Sequence, residues 1–295
     1  MAEPRLESDF DSNVQQGAAR ERVSSTLKRL SRTGALPTLP AVASSALALV
    51  RDPEADIDEL CKIIQTDVGL SARVLRIANS AALGRRRPAR KLSDAVVTVG
   101  LRKTCDVLVA ACARQLYDQS SDHAERLWNH ALAAAVASEE LARHTRRVDP
   151  GRAFLPGLFH DVGRIAFLLA DEVSLDVIEQ LVADDEGDRT ALEEEWYGFH
   201  HAEGGAILAE DWGLALEQSD AIRWHHDTVN AGAAQALALN VAVADTVAYA
   251  IGYGASPRPP EDAPGLDAVG VDPDEQEALV ERIAEAFEEH RELLG

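Results

Sequence analysis

Residues 157–164 read GLFHDVGR. The adjacent His160 and Asp161 lie at the junction of two stretches with helical patterning, 150–159 and 161–170. A neutral imidazole and a carboxylate are both ligands that divalent metal ions use in proteins. Side chains at the junction of two helices can face the same point in a fold. This stretch therefore predicts a metal site within a helical protein.

Further candidate ligands lie in other predicted helices, with His130 in a helix over 124–146 and Asp245 in one over 232–252. Asp245 follows four apolar residues, and a carboxylate buried there needs a histidine, an arginine or a metal ion as partner. Helical bundles build metal centres from inward-facing side chains on several helices. A single helical histidine is more often an ordinary hydrogen-bonded residue, so a metal-free network of the same residues is the alternative.

The composition favours an all-α fold. The chain has 295 residues, 46% of them hydrophobic but only 5% aromatic, and alanine and leucine abound. High helix propensity combined with few strand-forming residues is typical of helical proteins. Cys61, Cys105 and Cys112 lack metal-binding spacing and lie in apolar stretches, so we expect them in the core.

The charge of the chain bears on its partners and location. Its formal net charge is −21 at pH 7, which repels nucleic acid and anionic membrane surfaces. The first residues form no signal peptide, and no window of eighteen uncharged apolar residues exists. We therefore expect a cytoplasmic protein that binds neither nucleic acid nor membrane.

The chain divides into four parts. Residues 1–20 are expected to be a disordered acidic lead-in, 21–120 an N-terminal helical subdomain, 121–255 a second helical subdomain, and 256–295 a loop followed by an amphipathic helix over 273–294. Within the N-terminal subdomain we predict helices over 41–50, 57–66, 71–82, 95–99 and 101–117, a turn over 67–71, Asp56 and Ser93 as N-caps, and Asn79 as a C-terminal cap. The C-terminal helix could cover its own domain or a second chain, which leaves a homodimer open.

One dense basic run interrupts this acidic chain, formed by Arg85, Arg86, Arg87, Arg90 and Lys91. It could be a solvated loop between helices. Alternatively, its guanidinium groups could dock an acidic protein surface or a phosphorylated partner. Nucleic acid is disfavoured, because no aromatic residue interleaves the run.

Ordered motifs along the chain resemble those of the HDOD domain family over about residues 25 to 255. In the first half they are LPTLP at 36–40, QTDVGLS at 65–71, LRIANSA at 75–81 and VG at 99–100. In the second half they are LWNH at 127–130, GLFHDVGR at 157–164, HAEGG at 201–205, IRWHH at 222–226 and AD at 244–245.

The resemblance implies a helical fold related to the HD and HD-GYP phosphohydrolases, used in bacterial signalling and generally without demonstrated hydrolase activity. It matches His130, His160, Asp161 and Asp245 to the metal ligands of that superfamily. It also matches His201, His225 and His226 to the extra histidines that hold a second metal in HD-GYP enzymes.

Three departures count against cyclic-dinucleotide hydrolysis. The segment after His226 lacks the Gly-Tyr-Pro signature, Arg164 replaces the lysine of the HD-x-GK motif, and Arg126 stands where some HD-GYP enzymes have a metal-binding glutamate. Arginine can still bind phosphate, although it is not interchangeable with lysine in a tight site.

Two functions remain. The favoured one is a non-catalytic signalling module that binds protein partners, because the N-terminal half contains no plausible catalytic set. The alternative is a metal-dependent phosphohydrolase, mononuclear or binuclear, with Fe, Mn or another divalent ion, Asp161 at the metal and Arg164 on the phosphate.

Overall fold

A computed structural model describes most of the chain, namely residues 38–52, 54–79, 88–117, 122–170, 172–185, 187–256, 258–259 and 262–294. None of these residues is in a β-strand. The fold is all-α, with an N-terminal helical bundle packed on a second, larger bundle. The acidic lead-in 1–20 and the predicted boundary segment 118–121 lie outside the described residues.

In its described residues, the N-terminal bundle has five helices, α1 (Ala41–Arg51), α2 (Ile57–Gln65), α3 (Val68–Ala78), α4 (Leu92–Val99) and α5 (Leu101–Ala113), followed by a 3₁₀ turn (Arg114–Tyr117). The predicted cap of α2 is confirmed, because the Asp56 carboxylate accepts the Glu59 amide at 2.7 Å. Helices α1, α2 and α5 agree with the sequence-based expectation to within a few residues. The three cysteines are buried and unpaired, as expected.

Two local predictions in this bundle are wrong. The expected turn over 67–71 is the start of α3, since Asp67 is its N-cap and accepts the Leu70 amide at 3.1 Å. A short side-chain oxygen at this position satisfies a free amide of the first turn, so the helix begins earlier than predicted. Ser93 is not the N-cap of α4. The helix begins at Leu92, so Lys91 is at the N-cap position and Ser93 lies inside the helix.

The second bundle also has its helices close to the predicted places. They are α6 (Asp122–Thr145), α7 (Pro150–Phe159), α8 (Val162–Ala170), α9 (Glu172–Ala183), α10 (Arg189–Tyr197), α11 (His201–Trp212), α12 (Leu216–Arg223) and α13 (Gln235–Ala250). Short 3₁₀ turns at Thr228–Asn230 and Gly232–Ala234 precede α13, and another at Leu266–Val269 precedes the C-terminal helix α14 (Pro273–Leu294).

Helix α6 is the centre of this bundle and packs against α7, α13 and α14. Its alanines Ala131, Ala133, Ala134 and Ala135 are fully buried and let neighbouring backbones approach closely. A Cβ on Gly157 of α7 would lie 2.7 Å from the Ala134 carbonyl oxygen, so only glycine fits there. This close packing places the end of α7 beside the middle of α6.

Helix α14 joins the two bundles, because it packs on both α6 and α3. Its apolar residues Leu279, Ile283 and Phe287 are buried against its own chain. At its end, the carbonyls of Leu293 and Leu294 accept hydrogen bonds from arginines of α3. The apolar face of α14 is therefore covered without a second copy of the chain.

The helical stretch Gly232–Ala250 is long and apolar enough, by length and composition alone, to span a membrane. Of its most apolar window, 61% is buried inside the fold. This burial is compatible with a core helix of a soluble protein.

Candidate metal centre

The seven candidate ligands come from five places in the second bundle and converge on one region. His130 lies in α6, and His160 and Asp161 form the turn between α7 and α8. The others are His201 at the first position of α11, His225 and His226 directly after α12, and Asp245 in α13. All except His226 are buried.

Four of the histidines are fixed by the same arrangement, in which Nδ1 donates to an oxygen atom. The acceptors are the main-chain oxygens of Tyr253 for His130 (2.9 Å), Gly157 for His160 (2.8 Å) and Ile222 for His225 (2.7 Å), and Oε2 of Glu193 for His201 (2.6 Å). A proton held on Nδ1 leaves Nε2 of the neutral ring as a lone-pair donor. This is the arrangement that metal-ligating histidines show in proteins.

The first ligand group consists of His130, His160 and Asp245. The Nε2 atom of His130 lies 3.1 Å from Nε2 of His160 and 3.2 Å from Oδ1 of Asp245. Ligand atoms that share one metal ion at about 2.1 Å lie about 3.0 to 3.4 Å apart. Two facing Nε2 lone pairs need a cation or a proton between them, and Oδ1 of Asp245 is buried without a hydrogen bond.

The second group consists of His201, His225 and His226. The Nε2 atoms of His201 and His226 are 2.9 Å apart, and Nε2 of His225 is buried with no hydrogen-bond partner. Because orphaned buried acceptors are costly, these three atoms also fit a bound cation. The exposed His226 is at the outer side of the group.

Asp161 lies between the two groups. Its Oδ1 is 3.1 Å from Nε2 of His201, and its Oδ2 is 3.7 Å from Nε2 of His130. Burial alone would raise the pKa of this carboxyl group, but the neighbouring His160, Arg164 and His201 hold it well below its usual value. An ionised carboxylate between two histidine groups suits a bridging position.

The histidines themselves differ in their pKa. Burial lowers the pKa of His225 to about 3, which keeps its ring neutral. Burial would also lower the pKa of His201, but Glu193 and Asp161 outweigh it and raise the value to about 9. Metal binding would therefore displace a proton from His201 at neutral pH.

Arg164 lies deeper than a phosphate-binding role requires. Its side chain is 2% exposed, Nη1 donates to Oδ2 of Asp161 at 2.7 Å, and Nη2 donates to Oε1 of Glu179 at 2.6 Å. A phosphate could reach this guanidinium only by replacing a buried carboxylate, which is costly. These contacts hold Asp161 in place, and the phosphate-binding role that the alternative phosphohydrolase function gives to Arg164 stays a prediction.

Several charged residues of the site were not among the predicted ones. Glu193, which is fully buried in α10, accepts from both the ring and the main-chain amide of His201. Glu179 of α9 joins Arg164 to Arg189. No motif marks these residues in the sequence, because they act through the candidate ligands and lie outside the motifs quoted above.

A cavity of about 550 Å³ opens beside the centre. Charged residues line it, including three arginines and five aspartates: Arg164, Arg189, Arg258, Asp161, Asp185, Asp188, Asp245 and Asp262. Tyr249 also lines it and is in edge contact with the His130 ring, at 5.5 Å between ring centroids. The metal centre thus has room for a ligand.

The structure describes only part of the basic run. Arg85, Arg86 and Arg87 lie outside the described residues, while Arg90 and Lys91 are exposed. Asn79, the C-cap of α3 as predicted, donates through Nδ2 to the Ala89 carbonyl and accepts the Ala89 amide at 2.6 Å. This pair of bonds joins two residues on either side of the segment 80–87, which is outside the described residues, and the docking role of the basic run stays a prediction.

Comparison with known proteins points to one family. The model of the HDOD domain matches residues 36–228. An uncharacterised protein of Treponema pallidum (strain Nichols) is 27% identical over 197 residues, which are 66% of this chain but only 38% of that protein.

Solved structures share the whole architecture. An HDOD domain protein of unknown function from Geobacter sulfurreducens has a TM-score of 0.72 and 26% identity, covering 93% of this chain and 97% of that one. A protein from Shewanella amazonensis SB2B, named "Putative phosphohydrolase", has a TM-score of 0.71 and 25% identity, covering 92% and 98%. A "Putative signal transduction protein" from Marinobacter aquaeolei VT8 has a TM-score of 0.71 and 21% identity, covering 95% and 65%, which shows the fold alone.

Proposed function

This chain belongs to the HDOD domain family, and on that premise we propose that it is a bacterial signal-transduction domain that binds divalent metal and acts through protein partners. The observation that supports metal binding is the common orientation of four histidine rings. Each ring donates through Nδ1 and presents Nε2 to the same region. The proposed ions are Fe, Mn or another divalent metal. His130, His160 and Asp245 would hold one ion, and His201, His225 and His226 a second, with Asp161 between them.

The N-terminal bundle supports the partner-binding part of this proposal. Among its described residues, no group of histidine, cysteine and carboxylate side chains could hold a metal ion. Two contacting helices of this bundle expose valines, with Val68 of α3 84% exposed and Val97 of α4 66% exposed. We propose that these two exposed valines take part in the partner contact. The proposed partner is another signalling protein, and the proposed location is the cytoplasm.

A second candidate function is a metal-dependent phosphohydrolase, which the cavity beside the centre favours. Bound divalent metal would supply an activated water at neutral pH. Within this chain, Arg164 would orient Asp161, and Glu193 would orient His201. A phosphate ester would lie in the 550 Å³ cavity.

Metal content is the first test. We expect about one or two Mn or Fe ions per chain after purification without chelator and metal add-back, and at least a tenfold loss in Asp161→Ala. The matched control, Asp211→Ala, removes an exposed carboxylate of α11 and should keep the metal. Less than about one-tenth of an ion per wild-type chain would contradict both candidate functions.

Turnover separates the two candidates. A panel of phosphodiesters and nucleotides is incubated with metal-loaded wild type and with Asp161→Ala. Hydrolysis by the wild type that is lost in the variant would establish the phosphohydrolase. Metal binding with equal background rates in both proteins would favour the signalling domain.

A further inference from the structure

One arginine of the cavity, Arg258, is held only at the protein surface. Its Nε donates to the Val182 carbonyl at 3.1 Å, and its Nη2 pairs with Asp185, whose side chain is 78% exposed. The Arg258 side chain is itself 39% exposed, and Nη1 donates to no residue that the structure describes. The deeper arginine of the same cavity, Arg164, is 2% exposed and paired with buried carboxylates.

This difference in exposure decides which of these two arginines can bind an anionic ligand. An ion pair between exposed side chains contributes little to stability, because both groups are well solvated when apart. An incoming anion can therefore replace Asp185 at Arg258 with little loss, whereas replacing Asp161 at Arg164 would leave a buried carboxylate unpaired. A guanidinium group also matches the geometry of phosphate or carboxylate through two parallel hydrogen bonds.

The charge of the cavity links anion binding to the metal. With three arginines and five aspartates, the described lining is net negative by two charges when the histidines are neutral. Two divalent ions would make it net positive by two. The cavity therefore attracts cations first and anions only once metal is bound.

The size of the cavity indicates an organic ligand. Its volume of about 550 Å³ is in the range of small-molecule sites and leaves most of the space unfilled by an inorganic phosphate. Part of its wall is apolar, formed by Val182, Ala242, Pro259, Ala263 and Pro264. This wall can cover the non-ionic part of a ligand.

We propose that the cavity binds an organic phosphate with two separate anionic groups, one phosphate at the metal centre and the second anionic group at Arg258. The inference rests on the proposed function, because it requires metal in the histidine and aspartate centre. Arg258 is then a specificity-determining residue, selecting doubly anionic ligands over those with one phosphate. Its exposed position allows substitution without disturbing the core.

Titration calorimetry with two probes tests this selection. Adenosine 5′-monophosphate and adenosine 3′,5′-bisphosphate are titrated into Mn-loaded wild type, Arg258→Gln and Arg282→Gln, with metal content measured on each sample. The control Arg282, on α14, is also about half exposed, faces Glu140 of α6 and is not among the residues that line the cavity. We expect the wild type and the control to bind the bisphosphate at least about tenfold more tightly than the monophosphate.

In Arg258→Gln, we expect that preference to vanish while monophosphate affinity and metal content stay the same. Removing the metal should abolish binding of both probes. Equal affinities for the two probes in the wild type, or an unchanged preference in Arg258→Gln, would overturn the inference while leaving the metal proposal intact. A wild type without metal would overturn the proposed function as well, and the metal measurement identifies that case.

Discussion

The imidazole Nδ1 of His130 lies 2.9 Å from the main-chain oxygen of Tyr253, so a residue eight positions after Asp245 fixes the ring of a candidate metal ligand in α6. The Tyr253 ring in turn packs on Phe287 of α14, with 4.2 Å between ring centroids, and its hydroxyl donates to Glu288 at 2.8 Å. Because α14 also contacts α3, one run of contacts joins the metal centre to the N-terminal bundle. The orientation of His130 thus depends on a segment that contributes no ligand.

Gly254→Ala tests this dependence. A Cβ at Gly254 would lie 2.3 Å from Cδ1 of Tyr249, so either this ring, which is in edge contact with His130, or the main chain beside the Tyr253 carbonyl must shift. We expect Mn affinity to fall about 10- to 100-fold by competition with a fluorescent chelator. Gly100→Ala, which strains a positive φ of 89° in the N-terminal bundle, is the control for general destabilisation and should keep its affinity. Equal losses in both variants would contradict a specific role for this contact.

Glu193→Gln removes the charge behind His201 while preserving an acceptor. The Glu193 carboxylate is fully buried and accepts the His201 ring at 2.6 Å, which raises the basicity of that ring. We expect a loss in Mn affinity of about tenfold or more, measured by the same competition. Glu195→Gln, an exposed change on the same helix, should have no effect. A Glu193→Gln protein with wild-type affinity would contradict the proposed role of the Glu193 charge behind His201.

Gly163→Ala is expected to disrupt the packing of α8 on α11. A Cβ there would lie 2.1 Å from the main-chain oxygen of His201, a backbone atom that cannot move alone. Overpacking of this kind costs about 1 to 3 kcal/mol in free energy of unfolding, which urea titration measures. In the matched variant Gly151→Ala, the new Cβ meets only the flexible Arg102 side chain at 2.6 Å, so we expect a smaller loss. The reverse order of stabilities would refute this explanation of the glycine in the HDVG motif.

Asp106 gives the protein a pH-dependent stability away from the metal centre. Burial raises its pKa to about 7, against 3.8 for the free side chain. Between these two pH values the Asp106 carboxyl group is ionised in the unfolded chain but not in the folded one. Its contribution to the free energy of unfolding therefore falls as pH rises from about 4 to 7 and is constant above that. The Asp106→Asn variant lacks this loss. We expect its free energy of unfolding to exceed that of the wild type by up to about 4 kcal/mol at pH 8 and to differ little at pH 4. Urea unfolding at both pH values measures the difference, and a constant difference would contradict the shifted pKa.

Much of the fold followed from local patterns. Helices such as α7, α8 and α14 begin and end close to where apolar periodicity, proline and glycine indicated, because these signals act within a few residues of the chain. The start of α3 did not follow, since Asp67 is as suitable for a turn as for an N-cap. Only the packing of the following residues against the core favours the helix.

The sequence by itself determined the types of candidate metal ligand and their order along the chain, because imidazole and carboxylate chemistry is a property of single residues. It did not determine which oxygens hold the histidines, since the Tyr253 carbonyl and the Glu193 carboxylate reach them only through tertiary packing. It also expected Arg164 to face a phosphate, yet burial beside Asp161 and Glu179 gives it those carboxylates as partners. The tertiary structure decided these contacts because burial, absent from any local pattern, sets which charges must be paired.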